Sequence, residues 1–240
     1  MLSEGYSNAD FRTRTQATYN FVVELLSLAA EQRSAIKSVV QASSRLKVDS
    51  VVVRSTLAPP TIQPVIAEIT RSAGDGTGGF ARRQRTGVYR TIRMPVFDRF
   101  TAARKELLPA AYLVPPRLRS VVDLLRRQGI EVDSLTQPWR GAAQAFEVDS
   151  LTVDPLFEGH RTVQAEGRWT GEAGDTAISA GWYLVPTTQP LGVLAAYLLE
   201  SASEDGVVTW NLLDREIQPR GTYPILRLRS RPLIPAATVP

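Results

Sequence analysis

From Phe11 onward, apolar residues recur mostly at three- and four-residue spacing: Phe11, Tyr19, Val22, Val23, Leu26, Ala29, Ala30, Ile36, Val39 and Val40. That period predicts an amphipathic helix from about Asp10 to Arg45, capped by Asn8 or Asp10, with Arg, Glu, Gln and Lys on the opposite face. A stripe of this length needs a surface to dock on, either the rest of the chain or a domain outside it. The pattern then changes period. "VDSVVVRSTL" and "TIQPVIAEIT" are β-branched runs bounded by prolines and predict strands. "AGDGTGGFARRQRTG" predicts a flexible loop. "VYRTIRMPVF" sets Val88, Ile92, Met94 and Val96 against Tyr89, Thr91 and Arg93, the alternation of a half-buried strand.

Further on the sequence echoes itself. "AAYLVPPRLRSVVDLLRRQGIEVDSL" predicts a strand, a proline turn, an amphipathic helix ending at Gly129 and another strand. "GWYLVPTTQPLGVLAAYLLE" again predicts strand, proline turn and helix; in both, the proline after "YLV" lacks a ladder donor and pre-sets φ for the next element. Between them "QAFEVDSLTV", "HRTVQAEGRWT" and "DTAISAGWYLVP" predict short strands. "EDGVVTWNLLD" is expected to be a loop, "GTYPILRLRS" a closing strand, and the remainder a Pro-rich tail. The expected class is α+β: a long N-terminal helix, then a strand-rich region with mixed sheets and two strand-Pro-helix units.

Composition changes this picture little. With 240 residues, 43% of them hydrophobic, the chain can bury a core in one large or two modest domains. A net charge of +4 is too small to indicate a polyanion partner, so no nucleic acid is expected. The most apolar segment is interrupted by Pro186 and Pro190 and falls short of the roughly 20 apolar residues of a span, so no membrane insertion is expected. No cysteine is present, which excludes disulfides and thiolate sites. The first residues show no signal-peptide pattern.

Motif searches mostly end in exclusions. Gly74, Gly76 and Gly79, with Asp98 further on, have the spacing of a dinucleotide loop, but a strand follows where a helix is required. The run Arg82, Arg83, Arg85, Arg90, Arg93, Arg99, Arg104 and Lys105 lacks interleaved aromatics and reads as a solvated face with some domain-contact arginines. One histidine, His160, and no cysteine cannot supply the His₃, His₂Glu or Cys₂His sets of catalytic zinc. No G-x-S-x-G elbow is present for a Ser-His-Asp triad. His160 is expected to be a hydrogen-bonded structural residue at a turn.

"LSEGYSNADFRTRTQATYNFV" resembles the segment that closes the catalytic domain of M14-family zinc carboxypeptidases, in a bacterial subgroup with a long C-terminal extension. "AYLVP" with its helix, "FEGHRTVQAEGRW", "GWYLVPTTQPLGVLAAYLLESASEDGVVTWNLLD" and "YPILRL" are similar to that extension in order and spacing. The resemblance implies four regions: 1–46, the last strand stub and helix of a catalytic domain; 47–103, a β-rich linker region; 104–232, an α/β extension; and 233–240, a tail. It implies zinc in the intact enzyme, held by His-x-x-Glu and a distant His, and a peptide or protein substrate. It places Glu4 at the position of the catalytic glutamate, which takes the proton of the zinc-bound water. It matches no metal ligand, since Val163 rather than Glu stands three residues after His160. No zinc and no activity are therefore expected of this chain alone, and relatives of this type suggest an extracellular or periplasmic location. The alternative is a non-catalytic protein- or glycan-binding module presenting Trp139, Trp169, Trp182, Trp210 and Tyr223; for Trp182, inside an apolar strand, core packing is the expectation.

Overall fold

The computed structural model describes residues 5, 9–43, 48–72, 83–157, 159–171, 173–230 and 236–238. The chain is α+β and divides into two compact units, one comprising Met1–Leu46 and Pro59–Asp98, the other Lys47–Ala58 and Arg99–Pro240.

The first unit holds α1 (Phe11–Glu31), α2 (Arg33–Ser43) and the antiparallel strands β2 (Thr61–Ser72) and β3 (Arg83–Val96). Asp10 caps α1: the Thr13 backbone N–H donates to its Oδ1 at 3.0 Å, satisfying one of the orphan donors of the first turn. The single helix expected over Asp10–Arg45 is in fact two, broken at Gln32, whose backbone leaves the regular helical angles; no Pro or Gly explains the break. Neither helix buries a single residue. The expected half-buried strand at 88–96 is exposed almost throughout, with Val88, Tyr89, Ile92 and Met94 all open to solvent, because only a two-stranded ladder forms there. Prolines 64 and 95 are tolerated for the same reason. β3 already begins at Arg83, inside the expected loop. A register shift between Glu68 and Thr70 accommodates Gly87 at φ +71°, where Glu68 accepts the Gly87 N–H at 2.9 Å.

The second unit begins with β1 (Ser50–Leu57) pairing antiparallel with β4 (Phe100–Leu107). Its centre is built from β5 (Ala111–Val114), α3 (Arg119–Arg127), β6 (Asp133–Leu135), β11 (Tyr183–Pro186), α4 (Gly192–Leu199) and β12 (Leu226–Leu228). These strands lie in the order β12-β5-β11-β6, each antiparallel to its neighbour. The strands joined through α3, β5 and β6, therefore run parallel with β11 between them, and β11 and β12 likewise flank β5. Two interlocked split β-α-β units of this kind make a ferredoxin-like core. The sequence echo is its internal symmetry: the two "YLV" segments pair with each other, Tyr112 with Val185, Leu113 with Leu184 and Val114 with Tyr183.

Both faces of this sheet are covered, and alternation assigns its residues to them. Tyr112, Val114, Val185 and Ile225 join Val121, Val122 and Leu125 of α3 and Ala195, Ala196 and Leu199 of α4 in the larger core. Ala111, Leu113, Leu184 and Leu228 face a second core with Leu135, Ala143 and Ile178. That second layer draws on the antiparallel pair β7 (Trp139–Ala143) and β10 (Ala173–Ile178). β8 (Phe146–Val153) and β9 (Val163–Trp169) form a further antiparallel pair. Turn chemistry fixes the helices. α3 ends at Gly129 (φ +81°), with the Gly129 N–H on the Arg126 carbonyl and the Ile130 N–H on that of Leu125, a Schellman motif. At Gly192 a Cβ would stand 1.8 Å from the Thr187 carbonyl oxygen, so only glycine admits the approach of α4 to the preceding turn.

One expectation is corrected here and two segments gain detail. "DTAISAGWYLVP" is not one strand but β10 and β11, separated by a turn with Gly181 at φ +89°. "EDGVVTWNLLD" forms the expected loop as a run of turns, and its Val207, Val208 and Leu213 are buried in the larger core. Within the Pro-rich tail, β13 (Ala236–Thr238) adds an antiparallel edge to β6.

Candidate functional site

The most densely polar part of the second unit lies on the helix-bearing face of the sheet. Glu200, the C-cap of α4, is completely buried. Its carboxylate accepts from Arg227 Nε at 2.8 Å and from Arg227 Nη2, from the Tyr112 hydroxyl, and from Trp169 Nε1 at 3.3 Å. Arg227 and Tyr112 stand opposite each other on β12 and β5, so strand register brings both to Glu200. The Arg227 guanidinium also lies 3.9 Å from the centre of a Trp169 ring, within cation–π range. Phe146 and Tyr223 meet Trp169 edge-on at 5.3 and 6.3 Å.

From Arg227 a chain of alternating charge runs outward. Arg227 Nη2 reaches Glu106 at 3.0 Å, Glu106 reaches Arg104 at 2.8 Å, and Glu166 bridges Arg104 (3.2 Å) and Arg54. Arg54 and Arg104 further donate to the Ala165 and Gly167 carbonyls of β9, occupying backbone acceptors that would otherwise invite another strand. Burial pushes the Glu200 carboxyl above the ordinary range, only partly offset by Arg227; Tyr112 and Tyr223 are raised well above theirs by the same burial. Burial pulls Arg227 down most strongly, but the Glu200 charge and hydrogen bonds, with Tyr112 and Glu106, together more than reverse it and leave Arg227 raised. With four donors on its two oxygens, Glu200 is a filled acceptor, suited to holding Arg227 and Trp169 in place rather than to exchanging protons.

Beside this network a cavity of about 630 Å³ opens between Trp169, Leu108, Val48 and the arginines 104, 168, 227 and 229. A second cavity, about 530 Å³, lies between Val153, Leu156, Ile217, His160 and Asp214. The His160 ring stacks on Trp210 at 4.7 Å. Its backbone pairs with Phe157, yet its Nε2 is buried without a hydrogen-bond partner, so the expected hydrogen-bonded role is met by the main chain alone.

The two units carry carboxylates of opposite behaviour. Gly87 N–H and Arg85 hold Glu68 below the ordinary glutamate range. A depressed carboxyl contributes stability above its unfolded value and loses it as pH falls through its folded value; a raised one contributes below its unfolded value and loses that as pH rises through its folded value. Acidification through the carboxylate range should therefore weaken hydrogen-exchange protection around Glu68 and Gly87, whereas protection around Glu200 should not fall with it. Residue-resolved exchange against pH checks both directions.

Comparison with known proteins adds a direct sequence relationship. Over 122 residues the chain is 31% identical to carboxypeptidase 2 of Trichophyton equinum and to that of Trichophyton rubrum; the matched stretch is 50% of this chain and 22% of either relative. Carboxypeptidase 2 of Trichophyton tonsurans matches equally, at 31% over 121 residues. Half of the chain resembles a carboxypeptidase. The chain thus spans about a fifth of the length of these carboxypeptidases where it matches them. No family model matches the chain, and no solved structure does.

Against this carboxypeptidase relationship the sequence-derived candidates fall as follows. Glu4 and the glycines 74, 76 and 79 lie outside the described residues. Asp98 is described and lies within reach of Gln63 Nε2, at 3.2 Å. Among the described residues no group of three His, Cys, Asp or Glu side chains is arranged to hold a metal ion. Of the aromatics proposed as an exposed surface only Trp210 is mainly exposed, at 55%; Tyr223 is buried, and Trp139, Trp169 and Trp182 pack partly into the two cores. Of the basic run, Arg85 pairs with Glu68, and Arg104 joins the buried network. The sequence reading missed Glu200, Arg227 and Tyr112. Their signal is faint: Glu200 ends the apolar run "GVLAAYLL", and Arg227 interrupts "ILRLRS".

Proposed function

We propose that the chain is the C-terminal portion of a zinc carboxypeptidase of the M14 type, lacking the zinc ligands and inactive alone, its ferredoxin-like unit being the extension that accompanies a catalytic domain. The observation that carries this is the 31% identity to carboxypeptidase 2 over half the chain, combined with its small share of those proteins' length. The donor set supports it: one histidine and no cysteine leave zinc ligation to polypeptide other than this. In the intact enzyme the zinc would polarise the peptide carbonyl and activate water, and Glu4 is proposed as the glutamate that takes its proton. A peptide or protein is the substrate, and an extracellular or periplasmic setting accompanies this reading. Among the described residues no helix is long and apolar enough to cross a membrane.

The test is direct. The purified chain, assayed with added zinc on a peptide whose C-terminal residue is released on cleavage, is expected to retain no stoichiometric metal and release no amino acid. Bound zinc together with turnover would overturn the proposal. One observation favours the binding-module alternative: the exposed Trp210 backed by the His160 ring is a rigid aromatic platform.

A further inference from the structure

We infer that the cavity beside Trp169 binds small organic carboxylates that carry an apolar group next to the carboxylate. This inference rests on the cavity alone and stands or falls independently of the peptidase reading.

The wall presents four guanidinium groups, from Arg104, Arg168, Arg227 and Arg229, against two carboxylates, Asp49 and Glu106. Glu106 is already committed, one oxygen to Arg104 and the other to Arg227. The carboxylates that fix the other edges of Arg104, Arg227 and Arg168, namely Glu166, Glu200 and Glu147, do not line the cavity. Its inner surface is therefore a donor surface, with guanidiniums held by anions behind them. Arg227 spends Nε and Nη2 on Glu200 and Glu106 and forms no described hydrogen bond through Nη1. Arg168 and its partner Asp149 are mostly exposed and its other partner Glu147 nearly half exposed; pairs of that kind contribute little, so a ligand can recruit the guanidinium at small cost.

The geometry selects the ligand class. A guanidinium fork matches a planar carboxylate with two parallel N–H donors. Asp49, Glu106 and the backing carboxylates make the pocket unfavourable for a polyanion, whereas one negative charge matches the modest positive surplus of the wall. Trp169, Leu108 and Val48 supply an apolar side for the group adjoining that charge, and the volume is that of an ordinary small-molecule site. Trp169 itself is held by its indole N–H on Glu200 and by Arg227 across its face, so the aromatic wall is rigid before a ligand arrives.

The experiment titrates the full chain with N-acetyl-phenylalanine, its neutral amide and inorganic phosphate, reading tryptophan fluorescence and calorimetric heat. The acid is expected to bind saturably, the amide at least about ten-fold more weakly for want of a charge-assisted hydrogen bond, and phosphate weakly or not at all. The fluorescence change should vanish in Trp169→Phe, which ties the signal to a ligand seated against this ring. The double variant Arg168→Gln, Arg229→Gln, chosen outside the buried Glu200–Arg227 pair and verified by circular dichroism, should lose at least about ten-fold in affinity. Equal binding of acid and amide, no saturable binding of the acid, tighter binding of phosphate, or undiminished binding by the double variant overturns the inference.

Discussion

Arg227→Ala should destabilise the second unit by about 3–5 kcal/mol, the cost of removing one partner from a buried ion pair. The magnitude follows from what remains. Glu200 has no solvent access, and two of its four donors come from Arg227; without them the carboxylate either keeps an uncompensated charge or takes up a proton. Trp169 loses the cation on its face, and Glu106 loses one of its two partners. In urea the midpoint should fall with little change in slope, since the surface exposed on unfolding is nearly unchanged. The double variant Arg227→Met, Glu200→Gln should recover much of the loss, because a matched neutral pair leaves no stranded charge. Wild-type stability in Arg227→Ala alone would show that the network is ornamental.

Leu113→Ala should cost about 2–5 kcal/mol, the range for a leucine truncated in a packed core. Leu113 is fully buried on a central strand, faces Leu184 across the symmetric pairing of the two "YLV" segments, and belongs to the second core. Neighbouring strands hold the backbone on both sides, so the cavity has little means of collapsing. Leu26→Ala in α1 is the control. Leu26 is 64% exposed, and its truncation should shift stability by no more than about 0.5 kcal/mol. Similar losses at the two positions in chemical denaturation would mean that α1 is buried in solution.

Much of the second unit was legible because its local signals agree with its fold. The strand, proline turn and helix of each half, and the stop at Gly129, follow from period, Pro and Gly alone. Pairing was not legible: both faces of β5 and β11 are buried, so the "YLV" segments are uniformly apolar and carry no alternation to set a face or a neighbour. β4 went unseen because Ala102, Ala103, Arg104, Lys105 and Glu106 have helical propensity, which pairing with β1 overrides. The split at Gly181 was visible only as one glycine in an apolar run. Glu200 and Arg227 meet through the strand order, and no spacing in the sequence announces such a meeting. The N-terminal periodicity did locate helix, but period alone says nothing of whether a stripe is covered.

The ends of segment 59–98 leave the second unit side by side: Leu57 pairs with Phe100, and the Ala58 N–H donates to the Arg99 carbonyl at 2.9 Å. The β1–β4 ladder is thus closed at its mouth before the chain departs, and the excursion enters and returns through a gap one hydrogen bond wide. Evolution can lengthen, shorten or exchange that excursion without reopening the core, as if it were a cassette plugged into a finished frame.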